Sequence, residues 1–184
     1  MGMSKTSLQT FGLFLGLAVI VAAAPFLWTL GGAGAVADPG LEIGQTLPVL
    51  QGTGAANGPL PSMADLKGKV VVVNCWTTWC PNCHTGMPEH VALYQKYSGT
   101  DVVFIGLTSE GEDSRQDIQQ FIEKYGIEWP NAYGASTSLV ELKAHYIPRY
   151  WVFGRDGKVV WNVASRNRTG IGDAIQMALA AQES

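Results

Sequence analysis

The chain predicts an α/β domain: a mixed central sheet with helices on its faces, entered through an N-terminal hydrophobic segment. Three observations carry this reading. Val70-Val71-Val72-Val73 is an unbroken β-branched run of the kind that fills a strand buried on both faces. Ile118, Phe121, Ile122 and Tyr125 recur at i, i+3, i+4 and i+7, the mark of a one-sided helix, and Gly126 stands where it should stop. Asp156-Gly157 separates two apolar runs, Tyr150 to Phe153 and Lys158 to Val163, and is a strong hairpin signal.

The N-terminal segment comes first in chain order. Phe11 to Leu30 contains no charged residue, and a run of about 20 apolar residues is long enough to cross a bilayer as a helix. Lys5 and the amino terminus precede it, and no Lys or Arg follows before Lys67. The positive-inside bias therefore leaves the amino end cytoplasmic and the rest of the chain on the far side. Ala35-Val36-Ala37 has the small-x-small form of a signal-peptidase site, but the apolar run exceeds the ~7–15 residues of a cleaved leader's core. Residues 1–30 are read as a membrane anchor in preference to a signal peptide, 31–40 as a flexible Gly/Ala linker, and 41–184 as one globular domain. The expected localisation is membrane-anchored or secreted, with the domain on the periplasmic or extracytoplasmic side.

After the valine strand, a helix is expected from Cys80 to about Tyr97, with Pro81 at its first position and a kink at Pro88. Asp101 to Leu107 is a second apolar strand, and the helix around Phe121 follows. Ser138-Leu139-Val140-Glu141 has the form of a capping box, starting a short helix that reaches about His145. The hairpin comes next, and Ile171, Ala174, Ile175, Ala178 and Leu179 mark one face of a closing helix. The order is strand, helix, strand, helix, helix, strand, strand, helix, which right-handed crossovers and a late hairpin fold into a mixed sheet.

Composition narrows the function. Twelve Lys and Arg against fifteen Asp and Glu give a net charge of −3 with no basic cluster, so nucleic acid is excluded as a partner. Three cysteines cannot all pair within one chain, so this is no disulfide-stapled scaffold. Cys80-Pro81-Asn82-Cys83 instead places two thiols one helical turn apart, within disulfide reach. The first sulfur would lie beside the unpaired N–H groups of the helix start. Bringing a thiol from about 8.5 to about 7 takes roughly 2 kcal/mol. A helix dipole supplies about 0.3–1 kcal/mol, which leaves the remainder to amide hydrogen bonds. Cys80 is the expected nucleophile and Cys83 the resolving thiol.

Competing chemistries use the same residues. Cys80 to His84 also matches the Cys-x-x-Cys-His attachment motif of a c-type haem. Against it stand the α/β pattern and the lack of an evident second axial ligand. Cys75, Cys80, Cys83 and His84 count to four zinc ligands, without the two separated pairs of a structural site. A structural bridge closing two residues would constrain little chain entropy. A copper- or partner-binding module on the same cysteine face is a further alternative. No metal is expected, and no cofactor beyond the redox-active pair itself.

Gly68 to Cys83, with Met87-Pro88, the upstream Gly44 to Leu50 and Leu60 to Lys69, and Ile147-Pro148 before the Asp156-Gly157 hairpin, resembles the TlpA/ResA-like branch of the thioredoxin superfamily. The likeness spans residues 41–184. It implies a thioredoxin fold and thiol-disulfide exchange with exported proteins, as a reductase of the cytochrome c or copper-site assembly type fed by a membrane electron donor. It implies that Pro148 is a cis-proline facing the dithiol, with Ile147 offering its backbone to an extended substrate. Trp79, Pro81 and Asn82 would rim the site. Two departures stand out: Asn74 replaces the buried aspartate of ordinary thioredoxins, and Arg149 replaces a small hydroxyl residue. An amide cannot shuttle a proton, so water, His84 or a carboxylate from another segment would serve; Asn74 is expected to be a packed, hydrogen-bonded core residue. Arg149 is expected either to favour the thiolate or to be solvated.

Overall fold

The computed structural model describes residue 38, residues 40–165 and residues 169–181. The expected anchor and the Ala35-Val36-Ala37 site lie outside these residues. Among the described residues no helix is long and apolar enough to cross a membrane.

The elements in chain order are β1 (Gly54–Ala56), α1 (Met63–Leu66), β2 (Val70–Cys75), α2 (Pro81–Tyr97), β3 (Val102–Leu107), α3 (Arg115–Tyr125), β4 (Asn131–Tyr133), α4 (Ser136–Glu141), β5 (Arg149–Phe153), β6 (Val159–Asn162) and α5 (Ile171–Ala180). The sheet runs β1-β4-β3-β2-β5-β6. The valine strand β2 is interior, parallel to β3 and antiparallel to β5. Every residue of β2 is buried because both sheet faces are covered. Val70 and Val72 pack with Met87 of α2, Phe121 of α3 and Ile175 of α5. Val71, Val73 and Cys75 point the other way, towards Leu66, Leu142 and Trp151. That two-residue alternation is the strand's own geometry. Burying each valine is worth about 1.5–3 kcal/mol, which makes β2 the fixed beam from which the cysteine motif projects.

Pro81 opens α2 as expected, and the helix continues through Pro88. Gly126 caps α3 in the left-handed conformation at φ 65°, which a side chain would resist. The short helix α4 departs from expectation. It starts at Ser136, with Ala135 as its N-cap and no side-chain cap. Ser138 lies inside it, buried, accepting from the Gln51 N–H at 2.7 Å and donating to the Gln51 carbonyl at 2.9 Å. Its hydroxyl is committed to a distant segment and is not available to cap. The capping box forms instead at the start of α1, between its N-cap Ser62 and Asp65 in its first turn.

Candidate active site

Beyond Cys75 the chain leaves the sheet, and two anchors fix where it goes. Trp76 is fully buried, stacks on Phe121 at 4.4 Å and donates its indole N–H to Asn131 Oδ1 at 3.0 Å. Thr78 is gripped by Glu110, whose carboxylate accepts the Thr78 N–H at 2.8 Å and the Thr78 hydroxyl, and also accepts from the Thr108 hydroxyl at 3.0 Å. Between these anchors and the helix Trp79 stands out, 71 % exposed. Pro81 and Asn82 are exposed beside it.

Cys80 is the N-cap of α2, and its sulfur accepts the Cys83 N–H at 3.2 Å. An amide of the helix start thus faces the first sulfur, as the motif predicts. The thiols are not joined, and they differ in access: Cys80 is 5 % exposed and Cys83 is 0 % exposed. Burial pushes the Cys83 thiol far up, its hydrogen bond with Cys80 adds to this, and the charges of Cys80 and Glu110 act in the same direction, against a hydrogen bond from the Thr77 backbone. Cys83 is therefore held as a thiol behind a reachable partner.

The Ile147–Pro148 peptide is cis, and both residues are half-buried. Arg149 follows as the first residue of β5 and is not solvated: it is 4 % exposed. It lies directly opposite Cys75 in the sheet, so the two side chains share a face. That face is the one opposite α2, where Cys75 packs with Trp151 and Leu142. The guanidinium is 3.9 Å from Asp38 Oδ2 and 5.4 Å from the Tyr146 ring. Burial drives the Cys75 thiol well above its ordinary range, with Arg149 pulling it back.

Asn74 is packed as expected, 3 % exposed, but its Nδ2 has no hydrogen-bond partner among the described residues. His84 is half-buried and wedged in place. Its Nε2 lies 2.8 Å from the Thr78 carbonyl, which can only accept, and its Nδ1 lies 2.7 Å from the Tyr125 hydroxyl. Both ring nitrogens are thereby engaged, and the second thiol is sealed, an arrangement that opposes haem attachment at Cys80, Cys83 and His84. Zinc at the four candidate ligands is ruled out by topology, because Cys75 faces the other side of the sheet. Among the described residues no three His, Cys, Asp or Glu side chains are placed to hold a metal.

Glu110 is the residue that sequence reasoning left unnamed. It arrives from the loop after β3, and the carboxyl ends of parallel strands are where open α/β sheets gather their sites. A dithiol at the head of a helix, launched from an interior strand of a mixed sheet, is the architecture of a thioredoxin-superfamily thiol-disulfide oxidoreductase. The chain belongs to the Redoxin family, whose model matches residues 42–175, and within it to the TlpA/ResA-like group. It is 31% identical over 121 residues to the thiol-disulfide oxidoreductase ResA of Bacillus cereus, covering 65% of this chain and 68% of that protein. A thiol-disulfide isomerase from Corynebacterium glutamicum superposes with a TM-score of 0.55 at 25% identity, over 63% of this chain and 84% of that one. A thiol:disulfide interchange protein from Chlorobium tepidum TLS gives 0.58 at 21% identity, over 73% and 97%.

Proposed function

We propose that the domain exchanges its Cys80–Cys83 dithiol with disulfides of exported proteins, working as a reductase on the extracytoplasmic side of a membrane to which residues 1–30 tether it. The observation that carries this reading is the inequality of the two sulfurs. Cys80 accepts an amide N–H and can be approached, whereas Cys83 is sealed and kept protonated. The Cys80 thiolate attacks the client disulfide, expelling one client thiolate and forming a mixed disulfide. Cys83 then attacks Cys80, releasing the second client thiol and closing the Cys80–Cys83 bridge. Trp79, Pro81, Asn82, Ile147 and Pro148 form the rim on which the client rests. Electrons return to the pair from a membrane donor, and the clients are apoproteins of the cytochrome c or copper-site assembly type. No cofactor beyond the two sulfurs takes part.

Trapping tests the reading. Cys83→Ser should leave a client covalently attached at Cys80, and insulin reduction should require both cysteines. A module that only binds a partner would hold it with either thiol replaced and show no turnover. A reduction potential near about −120 mV, the range of strong oxidants, would reverse the direction of electron flow.

A further inference from the structure

We propose that the recess between Trp79 and α3 is a client subsite, taking an arginine or lysine side chain that lies close in sequence to the client's reactive cysteine. This deepens the exchange reading above and rests on it.

The recess opens beside the nucleophile. It holds about 360 Å³ and is lined by Thr78, Trp79 and His84 on one side and by a stripe of α3 on the other, with Asp117, Phe121 and Lys124 at i, i+4 and i+7. That volume is at the small end of the ligand-pocket range of about 300–1,000 Å³ and suits a long side chain better than a cofactor. Trp79 directly precedes Cys80, so an occupant of the recess lies alongside the reacting residue.

The recess is also where a client would run. β3 and β5 flank β2 on opposite sides. The cis Ile147–Pro148 peptide comes with β5, whereas the loop after β3 brings Glu110 and leads into α3. A segment laid across the dithiol from Ile147 and Pro148 is therefore directed towards Trp79 and α3.

The walls are fixed before anything binds. Thr78 is held by Glu110, and the His84 ring is held by the Thr78 carbonyl at 2.8 Å and the Tyr125 hydroxyl at 2.7 Å. Phe121 is buried beneath them, stacked on Trp76 and 4.9 Å from the His84 ring. Walls already ordered spare a ligand the cost of ordering them. Trp79 alone among these aromatic groups offers its ring to solvent, and covering that apolar surface is favourable.

The charges at the mouth select the occupant. Asp117 is exposed and makes no ion pair or hydrogen bond with the described residues. Lys124 has the opposite sign, but its ammonium lies over the Tyr125 ring, 5.1 Å from the centroid. His84 has both ring nitrogens engaged. In the first turn of α3 Asp117 also complements the helix dipole, a role that does not require a recess or an uncovered indole opposite. An indole face attracts a cation, and a carboxylate pairs with one, bidentately with a guanidinium. A basic side chain meets both groups, whereas an apolar one meets only the ring and an acidic one is repelled by Asp117.

Short cysteine peptides carrying nitrothiobenzoate on the sulfur test the subsite. The Cys80 thiolate bonds to the peptide sulfur, the peptide–nitrothiobenzoate S–S bond breaks, and coloured nitrothiobenzoate leaves with the electron pair. Three peptides differ only beside the cysteine, with arginine, its neutral isostere citrulline, or glutamate. At low salt the arginine peptide is expected to react about tenfold faster than the citrulline peptide, with glutamate slowest. In Asp117→Asn that ratio should fall to within about twofold. Trp79→Leu, which removes the ring, should bring it below about threefold and decides alone if Asp117→Asn does not fold. Glu123→Gln neutralises a carboxylate of α3 that does not line the recess, and it should keep the full ratio. A wild-type ratio near one, a ratio unchanged by Asp117→Asn, or a glutamate peptide that outpaces arginine overturns the subsite and leaves disulfide exchange intact. Equal losses in Asp117→Asn and Glu123→Gln overturn it as well, since the preference would then belong to the field of the whole helix. A wild-type chain that releases nitrothiobenzoate from none of the peptides removes the exchange reading, and the subsite with it.

Discussion

The Glu110 carboxylate closes on Thr78 from two sides, taking the backbone N–H on one oxygen and the hydroxyl on the other. Because Thr78 also lends its carbonyl to His84, one side chain from the loop after β3 fixes the approach to the dithiol. Hydrogen bonds to a charged group contribute about 1.5–3 kcal/mol each. Glu110→Ala is expected to cost about 2–4 kcal/mol in urea unfolding. In a Cys80→Ser background, Glu110→Gln should also let Cys83 alkylate at lower pH, since it removes a negative charge that opposes the thiolate. Unchanged alkylation would confine Glu110 to holding the loop.

Stability of the reduced domain should fall at high pH, and Cys75 supplies a separable part of the fall. Burial raises its thiol far above the ordinary 9.0. Below that value the folded and unfolded chains both carry the proton, and nothing is gained or lost. Above it the unfolded chain releases the proton while the folded one keeps it, so stability drops by about 1.4 kcal/mol per pH unit. Urea midpoints compared at about pH 9.5 and about pH 10.5 should show a shallower decline in Cys75→Ala than in wild type. Parallel declines would mean that the thiol titrates in the fold.

The burial of Arg149 on the Cys75 face redirects an expectation drawn from its position after the proline. A charge beside the sulfurs would make the disulfide more oxidising. A charge held between Asp38 and Tyr146 on the opposite face should not. Arg149→Gln is accordingly expected to shift the dithiol potential by less than about 10 mV, against the roughly 30 mV that 1.4 kcal/mol would produce. A fall of that larger size would return the guanidinium to the redox site.

Gly106 in β3 leaves room for the Trp76–Asn131 hydrogen bond. A Cβ there would collide with the Asn131 carboxamide and press within 3.0 Å of Trp76 Nε1, and both neighbours are too deeply buried to yield. Gly106→Ala should destabilise the domain by about 1–3 kcal/mol, read from the denaturant midpoint. Wild-type stability would show that the loop can rearrange at little cost.

What the sequence made legible were features with a period or a covalent logic. The four valines of β2, the Ile118-to-Tyr125 stripe, the Asp156-Gly157 turn and the cysteine spacing each encode their own geometry. β1 and β4, three residues apiece, are too short to show a period and exist because neighbouring strands offer them partners. Ser138 misled because a capping motif is local, whereas its hydroxyl bonds a segment 87 residues away. The Arg149 side chain could not be placed without the strand register, which alone decides the face. Glu110 carried no spacing relative to Cys83 that a linear reading could weigh, because it reaches the site from another loop.

The sealing of Cys83 has a consequence outside exchange with clients. Peroxide or another small electrophile that reached the pair would meet Cys80 first and leave it as a sulfenic acid. The thiol lying behind would displace water from it and close the bridge before further oxygen could be added. Burying one member of the pair therefore shelters the other from irreversible damage.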